Sequence, residues 1–155
     1  MKMKKMEMVG IDNFKPNDSG KYGKAFEINV KLTLNGNRGN SGRVSAKGKI
    51  DVQYKGKKLE IKSNCGELEK IAKNDFVIYT MDNERDFQSP ERASVIPADE
   101  FFQMMESLGL VREKKTTGGY IKTTIQTYKN SKKKTAALAT ALANYPTLGD
   151  WMQTV

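Results

Sequence analysis

Apolar positions along the chain fall into two alternating runs and several helical ones. Lys49 to Tyr54, with Ile50, Val52 and Tyr54 in alternation, and Lys58 to Lys62, with Leu59 and Ile61, flank the turn signal Lys55-Gly56-Lys57. This pattern predicts a β-hairpin. Upstream, Tyr22, Phe26, Val30 and Leu34 recur at helical spacing. Ser19 as cap and Asn35-Gly36 as terminator predict a helix from Ser19 to about Leu34. Asn35 to Gly42 reads as a loop carrying Arg38, followed by a first strand from about Arg43 to Ala46. After the hairpin, Asn64 with Glu67 forms a capping-box pattern and predicts a helix from about Cys65 to Lys73. Asp75 to Met81, with Phe76, Val77, Ile78 and Tyr79 in succession, reads as a buried strand.

Farther on, the polar stretch Asp82 to Ser94 with Ser89-Pro90 reads as a connection. Phe101, Met104, Met105 and Leu108 predict a core-facing helix stopped at Gly109. Leu110 to Thr116 and Tyr120 to Tyr128, around Thr117-Gly118-Gly119, favour a second hairpin, with a helix through Ile121, Ile125 and Tyr128 as the alternative. An Ala-rich helix is expected from about Thr135 to Asn144. Trp151 is assigned to a core edge or interface rather than to a site. At 155 residues the chain fits one domain. Residues 1–18 read as an N-terminal arm, 19–81 as a core, and 82–155 as a helix/hairpin/helix extension packed on the same domain.

Strand alternation places Lys49, Asp51 and Gln53 on one face of the first hairpin, and Lys58, Glu60 and Lys62 together on the second strand. Pairing across the short turn brings Asp51 close to Glu60. Two adjacent carboxylates repel unless a cation lies between them, and a hard, oxygen-seeking ion such as Mg2+ lets both stay ionised. Such an ion polarises a phosphoryl oxygen and lowers the pKa of a bound water.

Composition narrows the chemistry. The chain has no histidine, which removes His-metal nucleases, Ser-His and Cys-His hydrolases and ordinary zinc fingers. With Cys65 as the sole cysteine there is no intramolecular disulfide or multi-cysteine zinc site; Cys65 is expected to pack at a helix start. Twenty-seven Lys and Arg against 18 Asp and Glu give a net charge of +9 and favour phosphate-rich partners. Arg38, Arg43, Lys47 and Lys49, together with the run Lys129, Lys132, Lys133 and Lys134, are the candidate phosphate contacts. The opening residues lack the apolar block of a signal peptide and no segment reaches the length of a membrane span, so a cytoplasmic protein with no membrane partner is expected.

Asp51 followed by Glu60-Ile61-Lys62 resembles the motif of the PD-(D/E)xK phosphodiesterase superfamily, which includes restriction endonucleases, Holliday-junction resolvases and phage recombination nucleases. Tyr22 to Val30, containing Glu27, resembles the family's preceding helix. Ile50 stands where the family often has proline. The resemblance implies an α/β, restriction endonuclease-like αβββαβ core with a central mixed sheet flanked by helices. It implies a metal-dependent deoxyribonuclease, acting on DNA in preference to RNA, with Mg2+ as cofactor and Mn2+ able to substitute. Asp51, Glu60 and the backbone carbonyl of Ile61 would bind the ion, and Glu27 would bind it directly or through water. Lys62 would orient the attacking water and offset charge developing on the phosphate. A homodimer would be the simplest way to cut both strands of a duplex at one place. Two readings stand beside it: a non-catalytic basic nucleic-acid-binding protein, and a phage or mobile-element accessory protein whose basic face meets an acidic partner.

Overall fold

The computed structural model describes residues 19–34, 52–68, 71–119 and 121–155. The expected arm at 1–18, the loop Asn35 to Gly42 and the strand Arg43 to Ala46 lie outside the described residues. So do Arg38, Arg43, Lys47, Lys49 and Asp51. Helix α1 spans Ser19–Leu34, the interval its periodicity predicts. Phe26, Val30 and Leu34 are buried and Tyr22 packs at their edge. Asn29, Lys31 and Leu32 are buried as well, so the helix is covered on more than its apolar stripe.

Strands β1 (Val52–Tyr54) and β2 (Lys57–Ser63) form the predicted hairpin. Its two-residue turn has positive φ at both Lys55 (49°) and Gly56 (80°). That is the signature of a type I′ turn, whose twist matches the flanking strands and fixes the register. Val52 therefore pairs with Leu59, Gln53 with Lys58 and Tyr54 with Lys57. Strand β3 (Phe76–Thr80) runs parallel to β2. Strand β4 (Ser94–Pro97) closes the sheet antiparallel to β3. The result is a mixed α/β fold built on a mixed four-stranded sheet, ordered β1-β2-β3-β4 and flanked by helices.

The expected helix over Cys65 to Lys73 does not form; a single 3-10 turn, Ile71–Lys73, follows instead. Asn64 has φ of +54°, whereas a capping residue needs an extended backbone. The backbone beyond it is taken by a distant strand. Ile125 donates its N–H to the Gly66 carbonyl at 2.9 Å, and Leu68 donates to Thr123 at 2.9 Å. Cys65 is accordingly exposed, with its Sγ 3.9 Å from Thr127 Oγ1, rather than packed at a helix start.

Between β3 and β4 lies a short helix α2 (Asn83–Asp86) and a 3-10 turn, Pro90–Arg92, where sequence reading expects only a connection. Pro97 ends β4 and opens helix α3 (Ala98–Ser107), with Asp99 and Glu100 in its first turn, where the helix dipole favours acids. Strands β5 (Val111–Lys115) and β6 (Ile121–Ile125) pair antiparallel as a separate two-stranded sheet, which settles the hairpin over the helical alternative. Helices α4 (Lys132–Leu142) and α5 (Leu148–Thr154) complete the chain.

Two cores sandwich the main sheet. Val52, Leu59, Ile61, Ile78 and Val95 meet residues of α1 together with Phe87, Leu148 and Trp151. Val77, Tyr79 and Ile96 meet Phe101 and Met105 of α3, Leu110 and Ile125 of the second hairpin, Tyr128, and Leu138 and Leu142 of α4. Trp151 closes the edge of the first core, with ring centroids 5.8 Å from Tyr54 and 5.4 Å from Phe76.

Candidate active site and its surroundings

The hairpin register decides what Glu60 and Lys62 face. Leu59 and Ile61 point into the core beneath α1. Alternation then turns Glu60 and Lys62 toward the other layer, beside Val77 and Tyr79, their partners in the parallel ladder. That layer is covered, so Glu60 is 8% exposed rather than lying on an open strand face. Lys58, at the strand's start, remains exposed.

A buried carboxylate is costly unless it is paired and hydrogen-bonded. Glu60 has both kinds of partner. Lys62 Nζ stands 3.5 Å from its Oε1, and Asn74 Nδ2 donates to its Oε2 at 3.3 Å. The two charged side chains keep 11% and 17% of their surface, enough for contact with a ligand at one side. The aliphatic stem of Lys62 passes Gly66, with Cδ 3.6 Å from where a β-carbon would stand.

Structure brings Glu60 and Lys62 together but does not group Glu27 with them. Glu27 makes an i,i+4 ion pair with the buried Lys31 at 3.1 Å, and α1 packs on the face carrying Leu59 and Ile61. Asp51 lies outside the described residues; Val52, bonded to it, pairs with Leu59, the neighbour of Glu60. Among the described residues no group of three or more acids or cysteines could hold a metal ion. Glu60 supplies carboxylate oxygens and Ile61 a backbone carbonyl, hard donors of the kind Mg2+ takes, and a second carboxylate is needed to complete such a set.

Beside Lys62 lies a network that sequence reading missed. Tyr79 donates its hydroxyl proton to the Asn64 carbonyl at 2.6 Å, and its oxygen lies 2.7 Å from the Tyr128 hydroxyl. Since Tyr79 has one proton, Tyr128 is the donor in the second contact. Burial foremost, then the neighbouring Tyr128, pushes the Tyr79 hydroxyl well above the usual tyrosine range. Burial likewise pushes Tyr128 up to about 12. The pair locks the end of β2 to the segment entering α4.

A second missed cluster surrounds Asp86, 2% exposed. Thr80 Oγ1 donates to it at 2.7 Å, and Arg85 donates twice, from Nε at 2.8 Å and Nη2 at 2.9 Å. Burial alone would raise this carboxyl; the hydrogen bonds from Arg85 and Thr80 and the charges of Arg85 and Arg92 outweigh it and hold the pKa below the ordinary value. Asn83 Nδ2 donates to Ser63 Oγ at 3.3 Å, and Asn29 Nδ2 to the Phe87 carbonyl at 2.7 Å. Helix α2 thus pins α1 and the ends of β2 and β3 together. Asn-Glu-Arg-Asp after Asp82 carries an N-cap signal, since Asp82 accepts from Arg85 N–H at 3.1 Å, but nothing local in it shows that Asp86 will be buried.

The basic run is a helix entrance. Ser131 caps α4, accepting from Lys134 N–H at 3.2 Å. Lys132 and Lys133 are exposed in the first turn and Lys129 is exposed just before it, while Lys134 is half-buried. Cations at a helix N-terminus oppose the dipole, so these lysines are not there to stabilise the helix.

No protein-family model matches the chain, and neither does any curated protein or solved structure. Among the described residues no helix is long and apolar enough to cross a membrane.

Proposed function

We propose that the protein is a metal-dependent nuclease of the PD-(D/E)xK type, acting on DNA. The observation that carries this reading is the buried pair Glu60 and Lys62, 3.5 Å apart on the second strand of a hairpin whose first strand begins one residue after Asp51. Supporting it, β2 lies parallel to β3 in a mixed sheet with α1 packed on one face, as the resembled core would have it, although the helix expected between β2 and β3 is replaced by the Ile71–Lys73 turn. Asp51, Glu60 and the Ile61 carbonyl would hold Mg2+ or Mn2+, without Glu27, which α1 carries on the other face of the sheet. The ion, when bound, would polarise the phosphate and supply a water of lowered pKa. Lys62 would hold its ammonium against the phosphate and offset the negative charge that develops there, more effectively for being partly desolvated. Asn74 would orient the carboxylate of Glu60.

The test is cleavage of labelled duplex, single-stranded and four-way-junction DNA with Mg2+, Mn2+ or chelator. Metal-dependent products that vanish in Lys62→Ala and Asp51→Asn, with DNA binding retained, are expected. Cleavage persisting in both variants would overturn the mechanism. The exposed lysines at the start of α4 favour a second reading, a nucleic-acid-binding protein without catalysis. Its mark would be salt-sensitive binding indifferent to divalent ions and to Asp51→Asn.

A further inference from the structure

A cavity of about 620 Å3 opens beyond the C-terminal end of β3, with Glu60 not among its lining residues. Its size is that of a small-molecule site, which typically encloses about 300–1,000 Å3. Tyr79 and Tyr128, the hydroxyl pair, line one part of it, and Ala139, Leu142, Ala143 and Tyr145 form an apolar and aromatic wall. The charged residues lining it are Arg85, Arg92, Lys129, Asp82 and Asp86, so cations outnumber acids by three to two.

Both acids are engaged. Asp82 caps α2, and Asp86 takes both Arg85 bonds and the one from Thr80. Arg85 spends Nε and Nη2 on Asp86, which leaves Nη1 available for a ligand. Arg92 approaches Asp86 only to 4.0 Å, too far for a hydrogen bond, and among the described residues its guanidinium makes no side-chain hydrogen bond. Their side chains are 56% and 57% exposed, so both guanidiniums stand at a solvent-accessible rim within 4.0 Å of one buried carboxylate. Guanidinium forks suit phosphate oxygens, and an aromatic-apolar wall suits the flat face of a base.

We propose that this cavity binds a nucleoside monophosphate unit, with the base against the wall of α4 and Tyr145 and the phosphate on Arg85 and Arg92. The unit has two sources, a free nucleotide or the 5′-phosphorylated end of a single strand. Binding needs neither a metal nor cleavage, so the site stands or falls apart from the nuclease reading.

The experiment titrates the full chain, in chelator, with dAMP, adenosine and inorganic phosphate, by calorimetry and by amide chemical shifts. Expected is saturable dAMP binding that shifts Arg92, Ala143 and Tyr145 resonances, with adenosine and phosphate each much weaker. Arg92→Gln should weaken dAMP roughly tenfold, the loss of one charge-assisted contact. Ala143→Trp, which fills the cavity from the exposed residue capping the C-terminus of α4, should abolish it. Competition by a 5′-phosphorylated oligonucleotide, but not by its 5′-hydroxyl counterpart, would identify the strand end as the source; no competition would identify the free nucleotide. Absence of dAMP binding, or binding unchanged in both variants, would overturn the proposal.

Discussion

Replacing either hydroxyl of the Tyr79–Tyr128 pair should give unequal costs, and the inequality follows from the direction of the protons. In Tyr128→Phe, Tyr79 still donates to the Asn64 carbonyl, and what is lost is one bond accepted by the Tyr79 oxygen. The expected cost is about 1 kcal/mol, the net worth of an ordinary hydrogen bond. In Tyr79→Phe, two partners are orphaned at once: the Asn64 carbonyl and the Tyr128 hydroxyl. Stranding buried polar groups costs about 1–3 kcal/mol each, so a loss of about 2–6 kcal/mol is expected. Phenylalanine keeps the ring, whose centroid lies 5.3 Å from that of Phe101, so no cavity term is added. The double variant should cost no more than Tyr79→Phe alone, because it removes the stranded Tyr128 hydroxyl, a coupling of at least about 1 kcal/mol. Urea unfolding followed by fluorescence of Trp151, the chain's single tryptophan, measures all three. Equal costs for the single variants, or strict additivity, would refute the assigned proton order. The alkaline limb offers a second readout. Both hydroxyls titrate higher folded than unfolded, where tyrosine sits near about 10. Their contribution is therefore complete below that value and lost as pH rises, for Tyr128 through about 12. Tyr128→Phe should flatten that loss.

Three other perturbations test separate parts of the frame. Asp86→Asn should cost about 1–3 kcal/mol near neutral pH, a range kept low because Arg85 is over half exposed. Because the folded carboxyl titrates below its unfolded value near about 4, the deficit should shrink as pH falls through the folded value, read by urea unfolding at pH 7 and pH 3. Trp151→Ala, removing a 5%-exposed ring between Tyr54 and Phe76, should cost about 3–5 kcal/mol and lower the thermal midpoint, with Trp151→Phe recovering part of it. Gly56→Ala, at φ of +80°, should destabilise by about 1–2 kcal/mol, and Gly56→Asn by less, in thermal unfolding.

The elements legible in the sequence are those whose own residues carry the signal. Helix α1 has its stripe and cap, the first hairpin its alternation and Lys55-Gly56 turn, and the second hairpin its β-branched run beside Thr117-Gly118-Gly119. What escaped was decided by distant partners. Asn64 and Glu67 have the letters of a capping box, but Gly66 and Leu68 give their backbone groups to β6, nearly sixty residues later. Strand β4 is four residues long and ends in proline, which an edge tolerates and a pattern search discards. At the candidate site, the pairing of Glu60 with Lys62 follows from their spacing on one strand face. Its burial does not, because α3, α4 and the second hairpin supply the cover. The cavity rim is likewise assembled from α2, the Pro90–Arg92 turn and α4, none of which carries a local motif.

The bonds from Gly66 and Leu68 to β6, with the seat of Trp151 against Tyr54 and Phe76, have a consequence for the order of assembly. The hairpin carrying Glu60 and Lys62 is made early in synthesis, yet the strand and ring that seat it come later. Such long-range closures delay folding, since loop entropy is spent before the contacts repay it. A nascent chain halted after β3 should therefore leave Glu60 and Lys62 open to water. The pair would then be covered as the second hairpin and α4 pack over that face, making the C-terminal half a built-in timer on the residues it covers.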